Sequence, residues 1–198
     1  LSALRQVVVQ QHGASSDRRL ERVNALVLRL AAGRIHDVTA HGLGRQFAPS
    51  YLEGLSPGTP FHDASDHPWC ARLAAHVEEL RRELRAEAID ELWAPAAKST
   101  CRKMFAPEWR IISLVVCGAW VAGGRFRRAR SLLEALPGVR AYEVLLARMP
   151  PQTTIGAHSD NMNFILTAHL GLDLDEGRCA LTVGEQVRPW REGEVLVF

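Results

Sequence analysis

Apolar residues recur at helical spacing in two segments of the N-terminal half. Residues 17–32 predict an amphipathic helix that ends at Gly33, a residue common just after a helix C-terminus. Residues 34–65, rich in Gly, Pro, His and Asp, predict a loop with short elements. A second helix is predicted to begin with Asp66 as its N-cap and Pro68 in its first turn. Its predicted buried stripe is Trp69, Leu73, Val77, Leu80 and Leu84, and the charged residues between them predict a solvated face.

The pattern changes after Pro95, where continuous apolar and β-branched runs replace the helical periodicity. Five runs predict strands between Gly and Pro turn signals: 111–117, 142–149, 164–170, 178–183 and 194–198. Residues 131–136 predict a short helix. Helices first and strands later indicate one domain over residues 1–198, with a helical part to about residue 95 and an all-β core from about residue 105, flanked by helices.

Composition narrows the class of protein without naming a function. The chain has 198 residues, 47% hydrophobic and 23% charged, with a formal net charge of +2. That balance gives no reason to expect a nucleic-acid partner, and the basic cluster at 125–130 predicts a solvated loop. No apolar run approaches the roughly 20 residues needed to span a bilayer. The four cysteines are too widely spaced to predict a zinc site, and they leave the redox compartment open.

Both ends of the sequence suggest a piece of a longer chain. The sequence begins at Leu1, without a methionine, and its last five residues, 194–198, resemble a buried strand without its neighbour. We therefore expect the β core to be incomplete at the C-terminus.

The residues with the clearest chemical meaning are His158 and Asp160. On an extended strand, residues i and i+2 point to the same side, so both side chains can reach one metal ion while Ser159 faces away. An imidazole and a carboxylate, completed by a second histidine, form the facial triad of non-haem iron(II) oxygenases. His169 follows on an apolar run, where residue type alone favours a structural histidine over a ligand.

Several motifs in order resemble the aspartyl/asparaginyl β-hydroxylase family. The central one is H-S-D-N-M-N-F-I-L-T-A-H-L-G-L, which runs from His158 to Leu172. Three others resemble family patterns: W-x-E-G-x-x-L-x-F from Trp190 to Phe198, L-L-E-x-x-P from Leu132 to Pro137, and Trp109 before the strand at 111–114. The resemblance covers roughly residues 50–198 and is strongest after residue 140.

The resemblance implies a double-stranded β-helix, a jelly-roll or cupin-like core, that uses Fe(II) and 2-oxoglutarate. By this resemblance His158 is an iron ligand, His169 contacts 2-oxoglutarate and Trp109 lines the cosubstrate site. The implied reaction is hydroxylation of the β-carbon of an Asp or Asn residue in a peptide or protein; a small-molecule substrate stays open.

Three departures from the family pattern change what we expect of the site. The best-known animal members have glycine where this chain has Asp160, so we expect a fuller site in which Asp160 also binds the metal. The family's serine before the motif and its arginine two residues before the second histidine of the pair are Ala147 and Thr167 here. This predicts that the cosubstrate is bound differently or more weakly, or that it is not 2-oxoglutarate. The second iron histidine and a distal arginine are expected beyond Phe198.

Two other functions compete with the oxygenase. One is a non-catalytic binding module that keeps the β-helix but has lost cosubstrate capture; Ala147 and Thr167 favour it, whereas His158 and Asp160 favour the enzyme. The other is a cupin-like metal enzyme without 2-oxoglutarate, which needs more metal-binding histidines on the strands than the sequence offers.

Overall fold

A computed structural model of the chain describes residues 21–33, 37–39, 45–47, 50–55, 58–96, 108–160 and 162–198. Residues 17–20 of the predicted first helix and Cys101 lie outside these ranges. The chain forms two compact units. The first contains the described residues up to Gly58 together with Ala157–Leu166, and the second contains Thr59–Gly156 and Thr167–Phe198.

The first unit is built around one helix and short extended segments. Helix α1 spans Glu21–Ala31 and buries Leu26, which confirms the amphipathic pattern over these residues. Strands β1 (Asp37–Thr39) and β2 (Arg45–Phe47) pair antiparallel inside the segment predicted as a loop with short elements.

The largest sheet of the second unit has β4 (Arg110–Val116) at its centre. Strand β6 (Val144–Arg148) pairs antiparallel along one edge of β4. The two-residue strands β3 (Ala94–Pro95) and β5 (Ala119–Trp120) share the other edge, also antiparallel. The pairing of β4 with β6 shifts register between Ser113 and Val115, which marks a β-bulge.

Two helices cover this sheet through a shared apolar core. Helices α2 (Pro68–Ala75) and α3 (Val77–Glu87) follow one another, and α4 spans Arg127–Glu134. The buried residues that join α4 to β4 are Ile112, Leu114, Phe126 and Ala129, and Leu80 of α3 packs against them. Removing this apolar surface from water is the main favourable contribution to such a core.

The predicted second helix is two helices that meet at His76. Pro68 lies at the start of α2 as predicted, but the predicted Asp66 cap is wrong because His67 occupies the N-cap position. Asp66 instead ends a 3-10 turn, Ala64–Asp66, whose own cap is Asp63: its carboxylate accepts a hydrogen bond from the backbone N–H of Ser65. A second 3-10 turn covers Asp90–Leu92.

Helix α4 begins differently from the predicted solvated loop at 125–130. Glu83 of α3 accepts hydrogen bonds from the N–H groups of Arg128 (2.7 Å) and Ala129 (2.9 Å). Glu87 accepts from the N–H of Phe126, which has a left-handed conformation with φ of 53°. The first turn of α4 is thus capped by carboxylates of another helix, which suits both the unpaired N–H groups and the positive end of the helix dipole. Of the charged face predicted to be solvated, Glu78, Arg82 and Arg85 are exposed, whereas Glu83 is half-buried.

The remaining strands form two antiparallel pairs. Strand β7 (Ala168–Leu170) pairs with β10 (Val195–Val197), and β8 (Ala180–Val183) pairs with β9 (Gln186–Pro189). Cys70 of α2 packs with Val195 and Val197, so α2 covers the β7–β10 pair. Of the strand predicted at 164–170, only residues 168–170 form a strand.

The architecture is that of antiparallel sheets with flanking helices, which confirms the mainly β fold with helices outside it. The described strands do not close into a barrel. Among the described residues, no helix has the combined length and apolarity needed to cross a membrane. The predicted boundary between a helical part and a β core stays a prediction.

Candidate active site

The segment that carries the predicted iron ligands lies in the first unit, outside helices and strands. His158 and Asp160 are exposed, whereas Ser159 between them is half-buried. Both side chains are thus open to solvent. That they point to one side and bind one metal ion together stays a prediction.

A side chain that the sequence analysis left without a role fastens this segment to its own unit. The Oδ1 atom of Asn163 accepts a hydrogen bond from the N–H of Leu52 at 2.7 Å, and its Nδ2 donates to the carbonyl of Leu52 at 3.0 Å. Met162 adds a parallel bridge to Ser50. The signal in the sequence was an asparagine beside the apolar run 164–166, but nothing local identified Leu52 as its partner.

His169 lies in the second unit, at the centre of β7, paired with Leu196 of β10. Its half-buried ring stacks on Trp190, with centroids 5.8 Å apart and an interplanar angle of 30°. Phe198 meets the same ring edge-on, at 4.9 Å and 84°. Two aromatic side chains thus fix the plane of the imidazole. Both belong to the W-x-E-G-x-x-L-x-F motif, to whose aromatic residues the sequence assigns no role.

The two strongest sequence motifs meet at Gly171. A Cβ atom on this residue would lie 2.2 Å from the carbonyl oxygen of Arg191, a distance that side chains do not tolerate. The backbone carbonyl of Gly171 accepts from the N–H of Gly193 at 2.9 Å, and its N–H donates to Glu194 at 3.2 Å. The glycine therefore lets the chain after His169 approach the W-x-E-G segment, which explains why these motifs occur together.

Trp109 lies immediately before β4 in the second unit and is half-buried. Its carbonyl accepts a hydrogen bond from the N–H of Ala96 at 3.0 Å, which extends the pairing of β3 with β4 by one step. Its predicted place in the cosubstrate site stays a prediction.

The two positions at which this chain lacks the family's serine and arginine both take part in strand pairing. Ala147 lies in β6 opposite Ile111 of β4. Thr167 exchanges two backbone hydrogen bonds with Phe198, at 2.9 and 3.0 Å, and so continues the β7–β10 pair. Arg148, next to Ala147, stacks its guanidinium on Trp93 at 4.6 Å and pairs with Asp90 at 3.2 Å. Neither replacement carries a cation.

Of the predicted site residues, His158 and Asp160 belong to the first unit, and Trp109 and His169 belong to the second. Within the described residues, no three His, Cys, Asp or Glu side chains converge as a metal-binding group. The predicted pair would not do so by itself, since its third ligand is expected beyond Phe198.

A sequence model of the aspartyl/asparaginyl beta-hydroxylase family matches residues 74–198, which is more than half of the chain. The chain belongs to this family. The match includes His158, Asp160, His169 and Trp109. It confirms the family that the motifs indicated.

Two characterised relatives share the family. An ornithine lipid ester-linked acyl 2-hydroxylase of Rhizobium tropici is 25% identical over 147 residues, which cover 70% of this chain and 52% of that protein. The human aspartyl/asparaginyl beta-hydroxylase is 32% identical over 71 residues, which cover 34% of this chain and 9% of the human protein. The chain therefore matches about half of the first relative and a small part of the second.

Proposed function

We propose that this chain is the catalytic region of an Fe(II)- and 2-oxoglutarate-dependent hydroxylase with a double-stranded β-helix core. The observation that carries the proposal is the exposed pair His158 and Asp160, with half-buried Ser159 between them, inside the segment matched by the family. An imidazole and a carboxylate on one side are a donor set that suits non-haem iron(II) and leaves other coordination positions open. Both relatives are hydroxylases by name.

In this proposal each residue of the chain has a defined task. His158 and Asp160 bind the iron, and a histidine beyond Phe198 completes the ligand set. When bound, iron and 2-oxoglutarate together supply the oxidising power to hydroxylate an unactivated carbon. His169, with its ring plane fixed by Trp190 and Phe198, contacts the cosubstrate. Trp109 lines the cosubstrate site, as the family resemblance implies.

The substrate that the family favours is the β-carbon of an Asp or Asn residue in a peptide or protein. The relative from humans carries this activity in its name, which supports a peptide substrate for the present chain. Residues that contact substrates lie mostly in variable loops, so the substrate is the part of the proposal that depends most on direct measurement.

An acyl chain is a second candidate substrate, and one observation favours it. Phe164, Ile165 and Leu166 follow the His158–Asp160 segment in the same unit and expose 43%, 39% and 49% of their surface. Adjacent exposed apolar residues are typical of surfaces that bind apolar partners. The relative that matches more of this chain hydroxylates an ester-linked acyl group by name.

The binding module without catalysis is the alternative that the replacements Ala147 and Thr167 favour. Anaerobic titration of the full-length protein with Fe(II) and then 2-oxoglutarate distinguishes the hydroxylase from the binding module. The enzyme is expected to develop the weak visible charge-transfer band of the iron–cosubstrate chelate. Iron binding without the band contradicts the cosubstrate assignment, and failure to bind either one favours the binding module.

Substrate class can be tested by mass spectrometry on two sets of compounds. Aerobic incubation with Asp- or Asn-containing peptides, or with an ester-linked acyl lipid, is expected to add one oxygen atom to the true substrate. If the acyl chain is the substrate, Ile165→Ser is expected to reduce lipid hydroxylation several-fold. Val121→Ser is the matched control, because Val121 is similarly exposed (51%) but lies in the second unit. Oxygenation of peptides alone, unaffected by Ile165→Ser, contradicts the acyl candidate.

A further inference from the structure

The side-chain amide of Asn163 makes the two hydrogen bonds with Leu52 that a neighbouring strand would otherwise make. In an extended segment, the N–H and the C=O of one residue point to the same side and normally pair with an adjacent strand. Leu52 makes both of these bonds with one side chain: its N–H donates to Asn163 Oδ1 at 2.7 Å, and its carbonyl accepts from Nδ2 at 3.0 Å. Asn163 is half-buried, so both bonds are partly shielded from water.

The opposite side of the same segment is held by helix α1. The Nη2 atom of Arg29 donates to the carbonyl of Tyr51 at 2.6 Å, and Nη1 pairs with Glu53 at 2.7 Å. Only 18% of the Arg29 side chain is exposed, so this ion pair is partly shielded on one partner. Residues 51–53 are therefore fixed from α1 on one side and from Asn163 on the other.

These contacts lie close in sequence to the predicted iron ligands. Met162 bridges to Ser50, and Asn163 is three residues after Asp160. Three extended residues span at most roughly 10 Å, so a fixed Asn163 limits where the Asp160 carboxylate can lie. A ligand held in place before the metal arrives loses less conformational freedom on binding.

We infer that Asn163 is a positioning residue, which holds the His158–Asp160 segment in its metal-binding conformation by pairing with Leu52. The inference rests on the proposed function, because it assigns iron to this segment. Asn163 itself contacts neither metal nor substrate in this assignment. It acts through the backbone, and Arg29 supports it by fixing the strand to which it is bound.

The chemistry of the amide explains which substitutions test the inference. Asn163→Ala removes the donor and the acceptor together and leaves the N–H and C=O of Leu52 without these partners. Asn163→Asp keeps the acceptor for the N–H but places a carboxylate oxygen against the carbonyl of Leu52, where Nδ2 now donates at 3.0 Å. A pair of acceptors repels, so the aspartate variant is expected to be no better than the alanine variant despite its similar shape.

The experiment measures the iron(II) dissociation constant of the full-length protein anaerobically, together with hydrogen exchange of the Leu52 amide. Groups that orient metal ligands typically change metal affinity about 10–100-fold when they are lost. We expect a weakening in that range for Asn163→Ala and at least as much for Asn163→Asp, with faster exchange of the Leu52 amide. Arg29→Ala is expected to weaken iron binding less.

Glu83→Ala is the matched control for a loss of stability alone. It removes two hydrogen bonds that cap α4 in the second unit, far along the chain from the His158–Asp160 segment. It is expected to lower the Tm while leaving the iron dissociation constant within about twofold.

Each other outcome has a distinct meaning. A wild-type protein that binds no iron overturns the proposed function and, with it, this role of Asn163. A wild type that binds iron, beside an Asn163→Ala variant that binds within twofold of it, overturns the positioning role alone. Equal weakening by Asn163→Ala and Glu83→Ala at the same loss of Tm also overturns it, because Asn163 is then only a stabilising residue.

Discussion

Among single residues, Asp160 gives the sharpest test of the metal site. If its carboxylate is a ligand, Asp160→Ala should weaken iron(II) binding by at least the roughly 10–100-fold that loss of an orienting group costs. Calorimetric titration of iron into the anaerobic protein measures the change. Ser159→Ala is the control, because Ser159 is half-buried between two exposed neighbours and should not reach the same ion. Full iron affinity and turnover in Asp160→Ala would refute a His-Asp-His site.

Gly171 is the residue at which stability should be most sensitive to one methyl group. Its Cβ would lie 2.2 Å from the carbonyl oxygen of Arg191 and 2.9 Å from the side chain of Leu174. Overpacking of this kind typically costs about 1–3 kcal/mol, so Gly171→Ala should lower the free energy of unfolding in urea by at least that amount. Gly124→Ala is the control, since nothing lies within 4 Å of its Cβ position. Equal stability of the two variants would contradict the close approach.

The sequence could predict a residue's contacts only when its partner lies nearby along the chain. His158 and Asp160 are two residues apart, so a local rule about side-chain direction was enough to predict them as a pair. Leu52 and Asn163 are 111 residues apart, and Glu83 caps Arg128 across 45 residues. An asparagine or a glutamate bonds equally well to many groups, so only the folded chain selects these partners.

At the scale of elements, the same limit explains which strands and helices were predicted. The strand predicted at 111–117 differs from β4 (Arg110–Val116) by one residue at each end, because this strand coincides with a continuous apolar run. Strand β9 was missed because all four of its residues are exposed and give no alternating pattern. The predicted second helix breaks at His76, where the hydrophobic period continues unchanged and contains no glycine or proline.

Glu192 contacts Arg81 of α3 and the backbone of Leu174, and these contacts predict that the stability of the fold depends on pH. The backbone N–H of Leu174, and after it the guanidinium of Arg81, holds the pKa of Glu192 below its ordinary value of 4.5. A carboxylate with a lowered pKa stabilises the folded state above its unfolded pKa, and this contribution is lost as the pH falls through the folded pKa. Glu192→Gln should therefore lower the Tm at pH 7, and the difference from wild type should shrink below about pH 4.5.

Thermal unfolding of both proteins between pH 7 and pH 3 measures this difference. Glu185→Gln is the control, because Glu185 is exposed in the turn between β8 and β9. A Tm difference for Glu192→Gln that is the same at both ends of the range would show that the ionised carboxylate has no special part in the contact.

For the whole molecule, family membership and the fold constrain different parts of the function. The family match begins at residue 74, so it covers strand β7 with His169, Trp109 before β4, and also the segment of His158 and Asp160. It leaves out α1 and residues 50–53, which belong to the same compact unit as that segment. Residues outside the family match thus take part in holding residues inside it, since Leu52 bonds to Asn163. If the proposed function is correct, the N-terminal part therefore contributes to metal binding.

If iron and 2-oxoglutarate bind only the folded protein, they must stabilise it by mass action. A ligand at 100 times its dissociation constant adds about 2.7 kcal/mol to the free energy of unfolding, which for a chain of this size is roughly 5–10 °C in Tm. Iron(II) alone should raise the Tm of the full-length protein in anaerobic buffer. 2-Oxoglutarate should raise it further only when iron is present, because the proposed site binds the cosubstrate through the metal. Asp160→Ala should lose most of the first shift, and an equal effect of 2-oxoglutarate with and without iron would place the cosubstrate at a site that does not include the metal.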